Sequence, residues 1–178
     1  MAKLLKCFDC HLRFNPKDWA VLQRRAALLV VLKRFDEALV AFNRVPNATL
    51  GQPERWMWLQ SLTGCKRETE LKNWFEDRWP AYSKKVKKDA QTYYLKFLWS
   101  AALYYQKRNM LNQAEAAFEA LLRDDPYDPE HYLNLSKILL KSGKKHEAAD
   151  ILKRALQLTP QQMDQRNLAP STINWYAG

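Results

Sequence analysis

Glycine is scarce in this chain: there are 4 among 178 residues. Strand-and-turn architectures use glycine at left-handed turn positions, and phosphate-cradling loops use it where backbone meets ligand, so both are disfavoured. Cysteine is as thin. Three is an odd number for a closed disulfide framework and suits a reducing compartment. No apolar stretch approaches the ~20 residues of a membrane-spanning helix. The longest run is Ala26 to Leu32, the length of a helix core. Met1 to Cys10 turns polar too quickly for a secretory leader, and with Met1 read as the native start the expected location is cytoplasmic. H-E-x-x-H, a nucleophile elbow and a glycine-rich phosphate loop are all missing from the sequence. Neither catalysis nor a cofactor is expected.

What is present is apolar, aromatic and basic. Hydrophobic residues make up 47%, which argues for a folded core, and Trp 7, Tyr 8 and Phe 7 supply rings to pack between helices or to line a surface. Lys and Arg number 29 against 19 Asp and Glu, a net charge of +10. Such an excess favours acidic partners, whether protein segments, nucleic acid or an anionic surface, and otherwise serves as a solvated basic face.

The chain repeats itself. Ala114, Phe118, Leu121 and Pro126 recur 34 residues later as Ala148, Leu152, Ala155 and Pro160. Upstream, Leu98, Ala101, Ala102 and Tyr105 recur at the same offset as Tyr132, Leu135, Ser136 and Leu139. The N-terminal half has this period in its own register, with Leu4, Phe8 and Leu12 mapping onto Ala38, Phe42 and Pro46. Phe42 to Phe118 spans two periods and about eight residues more, so one intervening repeat is degenerate and carries an insertion.

A helix–turn–helix of this length, with small residues at close contacts, large ones between neighbours and a closing proline, resembles the tetratricopeptide repeat. The resemblance implies an all-α, right-handed α-solenoid of stacked helix pairs, about 4.5 repeats over residues 1–162. The expected division is a half-repeat at 2–16, repeats at 19–52, 95–128 and 129–162, and a degenerate one with the insertion at 53–94. Residues 163–178 form a tail or cap, with Ile173, Trp175 and Tyr176 as its apolar members. Periodicity places helices near 2–14, 18–32, 36–46, 53–65, 68–79, 89–108, 111–123, 130–142 and 145–158.

The family fold also implies a concave face lined by first helices, which holds a protein or peptide segment. In this register the partner-binding residues are Arg24, then Trp58, then Lys96, Trp99 and Leu103, then Asn134, Lys137 and Lys141. Cations beside apolar anchors suit an acidic partner, and the competing role for Trp58 and Trp99 is packing against a neighbouring helix. The clamp by which some family members hold a chaperone C-terminal carboxylate is not rebuilt, because Gln23, Ala27 and Trp58 stand at its positions. Function is thus expected to be a non-catalytic scaffold, adaptor or assembly factor. The alternative is nucleic-acid or acidic-partner binding through Lys84, Lys85, Lys87 and Lys88, placed in an irregular insertion. Cys7-Phe8-Asp9-Cys10-His11 matches the c-type haem motif, but Phe8 falls on the core register and no second axial ligand is evident. Zinc is not expected either, since Cys65, His131 and His146 are distant from that motif.

Overall fold

The computed structural model describes residues 2–165, the side chains of residues 2, 88 and 89 excepted. Every regular element among them is helical. The chain divides into two compact units, Met1–Trp74 and Phe75–Gly178.

In the first unit α1 (Ala2–Phe14) precedes the pair α2 (Trp19–Val31) and α3 (Phe35–Arg44). A single 3-10 turn (Asn47–Thr49) then leads to α4 (Gln52–Gly64) and α5 (Glu68–Lys72). Asp18 starts α2 by accepting the Val21 N–H at 3.1 Å, and Pro53 sits in the first turn of α4, where its missing N–H costs nothing. The core combines Leu22, Ala26 and Leu29 of α2 with Ala38, Ala41 and Phe42 of α3 and with Leu5 of α1. The alanines let the helices approach, and Phe42 fills the gap between them. Gly64 closes α4 against the Phe35 ring, whose nearest carbon lies 2.2 Å from where a Cβ would stand, so no larger residue fits unless that ring moves.

In the second unit α6 (Trp79–Asp89) packs on α7 (Gln91–Lys107), α7 on α8 (Leu111–Asp124), α8 on α9 (Pro129–Lys141), and α9 on α10 (Lys145–Leu156). A single turn, α11 (Pro160–Met163), follows behind a Thr159–Gln162 capping box. The tail from residue 166, with Ile173, Trp175 and Tyr176, lies outside the described residues.

The sequence reading of an irregular insertion is corrected. The extra residues lengthen a second helix instead, which runs from Glu68 through a π-turn segment (Asn73–Arg78) into α6. Pro80 explains the widened turn. It has no N–H to give the Glu76 carbonyl, and its ring would collide with that carbonyl in a regular α-helix. The segment is well anchored. Phe75 is buried and stacks on Tyr104 at 4.7 Å, and the Tyr105 hydroxyl donates to the Phe75 carbonyl at 2.7 Å. Burial pushes the Tyr105 phenol up to about 12, so it keeps that donor proton across the physiological range.

Four turns inside helix pairs share one geometry. Lys33, Lys66, Asn109 and Gly143 all take positive φ (57°, 53°, 58° and 79°). In each, the following residue's N–H reaches back to the carbonyl five residues earlier, as from Arg67 to Leu62 or from Lys144 to Leu139 at 2.9 Å. Only Gly143 adopts this conformation without Cβ strain. Replacing Lys66 with glycine is therefore expected to stabilise the protein by about 0.5–1 kcal/mol, a few degrees in Tm by circular dichroism, because relieved left-handed strain outweighs the extra freedom of the unfolded chain. An unchanged or lower Tm would show that this turn carries no such strain.

Candidate functional site

First helices were expected to supply the binding face, and the structure sorts their residues by burial. On α9 a stripe stands open to solvent: Leu133 is 46% and Leu140 51% exposed, with Lys137 and Lys141 exposed beside them. The spacing of 133, 137, 140 and 141 puts all four on one side of the helix, while Tyr132, Leu135, Ser136 and Leu139 face inward. Asn134 belongs to the same stripe, but its amide donates to the Glu130 carbonyl of its own helix at 2.9 Å. Leu133 and Glu130 continue into an apolar cleft of about 490 Å³ shared with Leu152, Ala155 and Leu156 of α10. In the preceding repeat the counterparts of those three are Phe118, Leu121 and Leu122, all buried, whereas Leu156 is 87% exposed. This apolar surface comes from the repeat pattern continuing to a helix pair with no later pair described against it.

On α7 the expectation is partly corrected. Trp99 is 3% exposed. Its ring lies edge-on to Phe118 of α8 at 5.8 Å and is 5.1 Å from the His131 ring of α9. It is a wedge among three helices and lines no open face. The physical reason is that α6 and α8 both pack on α7, so the middle of α7 is apolar all round. Lys96 and Leu103 are half-buried, and the Lys96 ammonium sits 5.2 Å from the Tyr93 ring centre, a cation–π contact.

In the first unit Arg24 is exposed on α2 as expected. Trp58 is half-buried and held on two sides. It meets Trp74 edge-on at 5.4 Å, and its indole N–H donates to the Asn43 side-chain oxygen at 3.3 Å. It therefore packs against neighbouring helical segments, the competing role named for it. A second cleft, of about 430 Å³, opens between α1, α2 and α3, lined by Arg13, Arg25 and Arg44. Asp9 lines it too and already accepts the Arg25 Nε–H at 2.7 Å.

The lysine cluster lies on α6, not in a loop, and is divided. Lys84 and Lys85 are exposed. Lys87 reaches Asp124 at 2.6 Å and sits over the Tyr94 ring at 5.2 Å, while Val86 between them is buried. The Lys88 side chain lies outside the described residues.

Cys7 and Cys10 are exposed on α1, and His11 beside them bonds to Asp18 at 2.8 Å. Cys65 differs. Burial first, then a hydrogen bond with Asp36, pushes its thiol up to about 11. Less of it is thiolate at any given pH, so at pH 8 iodoacetamide is expected to modify Cys65 more slowly than Cys7 and Cys10, as read by peptide mass spectrometry. Labelling of Cys65 first would contradict this.

One group escaped the sequence reading. Asp125, Asp128 and His131 are all buried at the junction of α8 and α9, with one donor atom of each within 4.8 Å of the others. Their three-residue spacing is visible in the sequence, but their burial is not. Burial lowers the His131 pKa, against the opposing pull of Asp128 and Asp125.

Set beside known proteins, residues 100–162 match the family model described as Tetratricopeptide repeat. No curated protein matches the chain in sequence. Among solved structures the fold is similar to that of YrrB, "a TPR protein with an unusual peptide-binding site", with a TM-score of 0.68 at 16% identity, over 89% of this chain and 78% of that one. It is also similar to MamA, with a TM-score of 0.62 at 13% identity, over 90% of this chain and 87% of that one.

Proposed function

We propose that this chain, a tetratricopeptide-repeat protein by its matched stretch at 100–162 and by its helix-pair fold, is a non-catalytic interaction module that holds a segment of a partner protein on α9. The observation that carries the reading is the open stripe of Leu133 and Leu140 flanked by Lys137 and Lys141. Two exposed leucines at helical spacing desolvate readily against apolar side chains of a partner, and lysines at the rim select acidic residues and speed encounter. The partner expected is an acidic, amphipathic segment. YrrB's peptide-binding site supports a peptide ligand for this fold without placing one here. Lys96 and Leu103 of α7 extend the proposed surface, with Asn134 as a polar contact. Arg24 is the exposed cation proposed for the first unit.

The test is selection of peptides from a random display library on the purified chain, followed by fluorescence anisotropy. Selected peptides are expected to pair leucine-like anchors with Asp or Glu. The Lys137→Glu/Lys141→Glu variant should raise Kd at least tenfold, roughly 1.4 kcal/mol, with Tm unchanged. Equal affinity in that variant would sink the α9 reading. A steep salt-dependent binding of single-stranded oligonucleotides, lost in Lys84→Glu/Lys85→Glu, would instead make α6 the working surface.

A further inference from the structure

We propose that Asp125, Asp128 and His131 form a metal site for a divalent transition ion of the zinc class, which ties the end of α8 to the start of α9. Three features point there. First, the donors come together from a short stretch whose backbone is already fixed. The Asp125 N–H bonds to the Leu121 carbonyl at 2.7 Å, and Asp128 caps α9 by accepting the Glu130 N–H at 2.9 Å. Second, the His131 ring has a defined tautomer. Its Nδ1 lies 3.0 Å from the Asp125 carbonyl, which can only accept, so Nδ1 carries the proton and Nε2 keeps its lone pair. A histidine whose one nitrogen donates to a backbone carbonyl while the other is free is the arrangement that orients metal-binding imidazoles. Third, His131 is 0% and Asp128 1% exposed, and both His131 Nε2 and Asp128 Oδ2 are buried without a hydrogen-bond partner. Lone pairs cut off from water in this way are costly, and a cation satisfies both at once.

The donor set selects the ion. One imidazole with two carboxylates suits Zn²⁺ and its transition-metal neighbours, whereas Mg²⁺ and Ca²⁺ favour all-oxygen shells of six or more ligands. Ligands at ~2.1 Å around a tetrahedral ion lie ~3.4 Å apart, so the three donors, now within 4.8 Å, close by about an ångström through side-chain rotation. Trp99 completes the surroundings. Its indole N–H is buried without a hydrogen-bond partner, and its ring centre lies 5.1 Å from that of His131.

The full chain, stripped with chelator and titrated with ZnCl₂, is expected to take up one equivalent by inductively coupled plasma mass spectrometry. Its Tm should rise by about 5–10 °C at a hundredfold excess over Kd. X-ray absorption at the zinc edge should show nitrogen and oxygen neighbours at ~2.0–2.1 Å and no sulfur. His131→Gln should weaken binding at least a hundredfold, and Cys7→Ser/Cys10→Ser should leave it unchanged. Absence of uptake, sulfur at ~2.3 Å, or undiminished binding by His131→Gln overturns the proposal. Should His131→Gln fail to fold, the absorption spectrum of the wild-type chain decides alone.

Discussion

Replacing Trp99 with alanine is expected to destabilise the chain by about 3–5 kcal/mol, the range for removing a large aromatic from a packed interior. The ring is 3% exposed and touches Phe118 and His131 from two different helices, so its loss leaves a cavity that neither neighbour can fill without moving. Urea denaturation measures this directly, as a lower midpoint at unchanged slope. Trp99→Phe should cost much less, since it keeps an aromatic edge toward Phe118 and removes a buried N–H that has no partner. A surface residue of a binding groove would behave differently, shifting stability by no more than about 0.5 kcal/mol. A stability change that small would mean that Trp99 lies at the surface.

Phe75→Ala is expected to cost a similar amount, about 3–5 kcal/mol. The inserted residues look dispensable by period alone, yet Phe75 is fully buried and stacked on Tyr104 with an interplanar angle of 27°. The substitution leaves the backbone carbonyl that receives the Tyr105 hydroxyl but removes the ring that holds the π-turn against α7. Near-UV circular dichroism should therefore lose tyrosine signal along with the fall in urea midpoint. A cost under about 1 kcal/mol would mean that the π-turn segment is an appendage and no part of the core.

Much of this chain was legible in one dimension. The 34-residue recurrence of Ala114 and Phe118 as Ala148 and Leu152 marked second helices, and the structure puts them on α8 and α10. Small residues at 26, 38, 102 and 114 sit at helix contacts because burial at close approach permits nothing larger, and all four are buried alanines. The stripe proposed on α9 was half legible. Lys137 and Lys141 follow from the repeat register and are exposed, whereas Leu140, an apolar residue on a helix, reads as core although it is 51% exposed.

By itself, then, the sequence determined the helical repeat, its period, the helix pairs and the place of the extra residues, since each of these follows from local spacing that a chain carries wherever it packs. Tertiary structure alone decided the rest. It turned the insertion into a continued helix, because Pro80 forces only a widened turn when Phe75 and Trp79 have an α7 surface to cover. It moved Trp99 inside, because α6 and α8 pack on α7 and α9 adds His131 beside the indole. It also brought Asp125, Asp128 and His131 together in a buried place, because burial belongs to the packed helices and to no single residue.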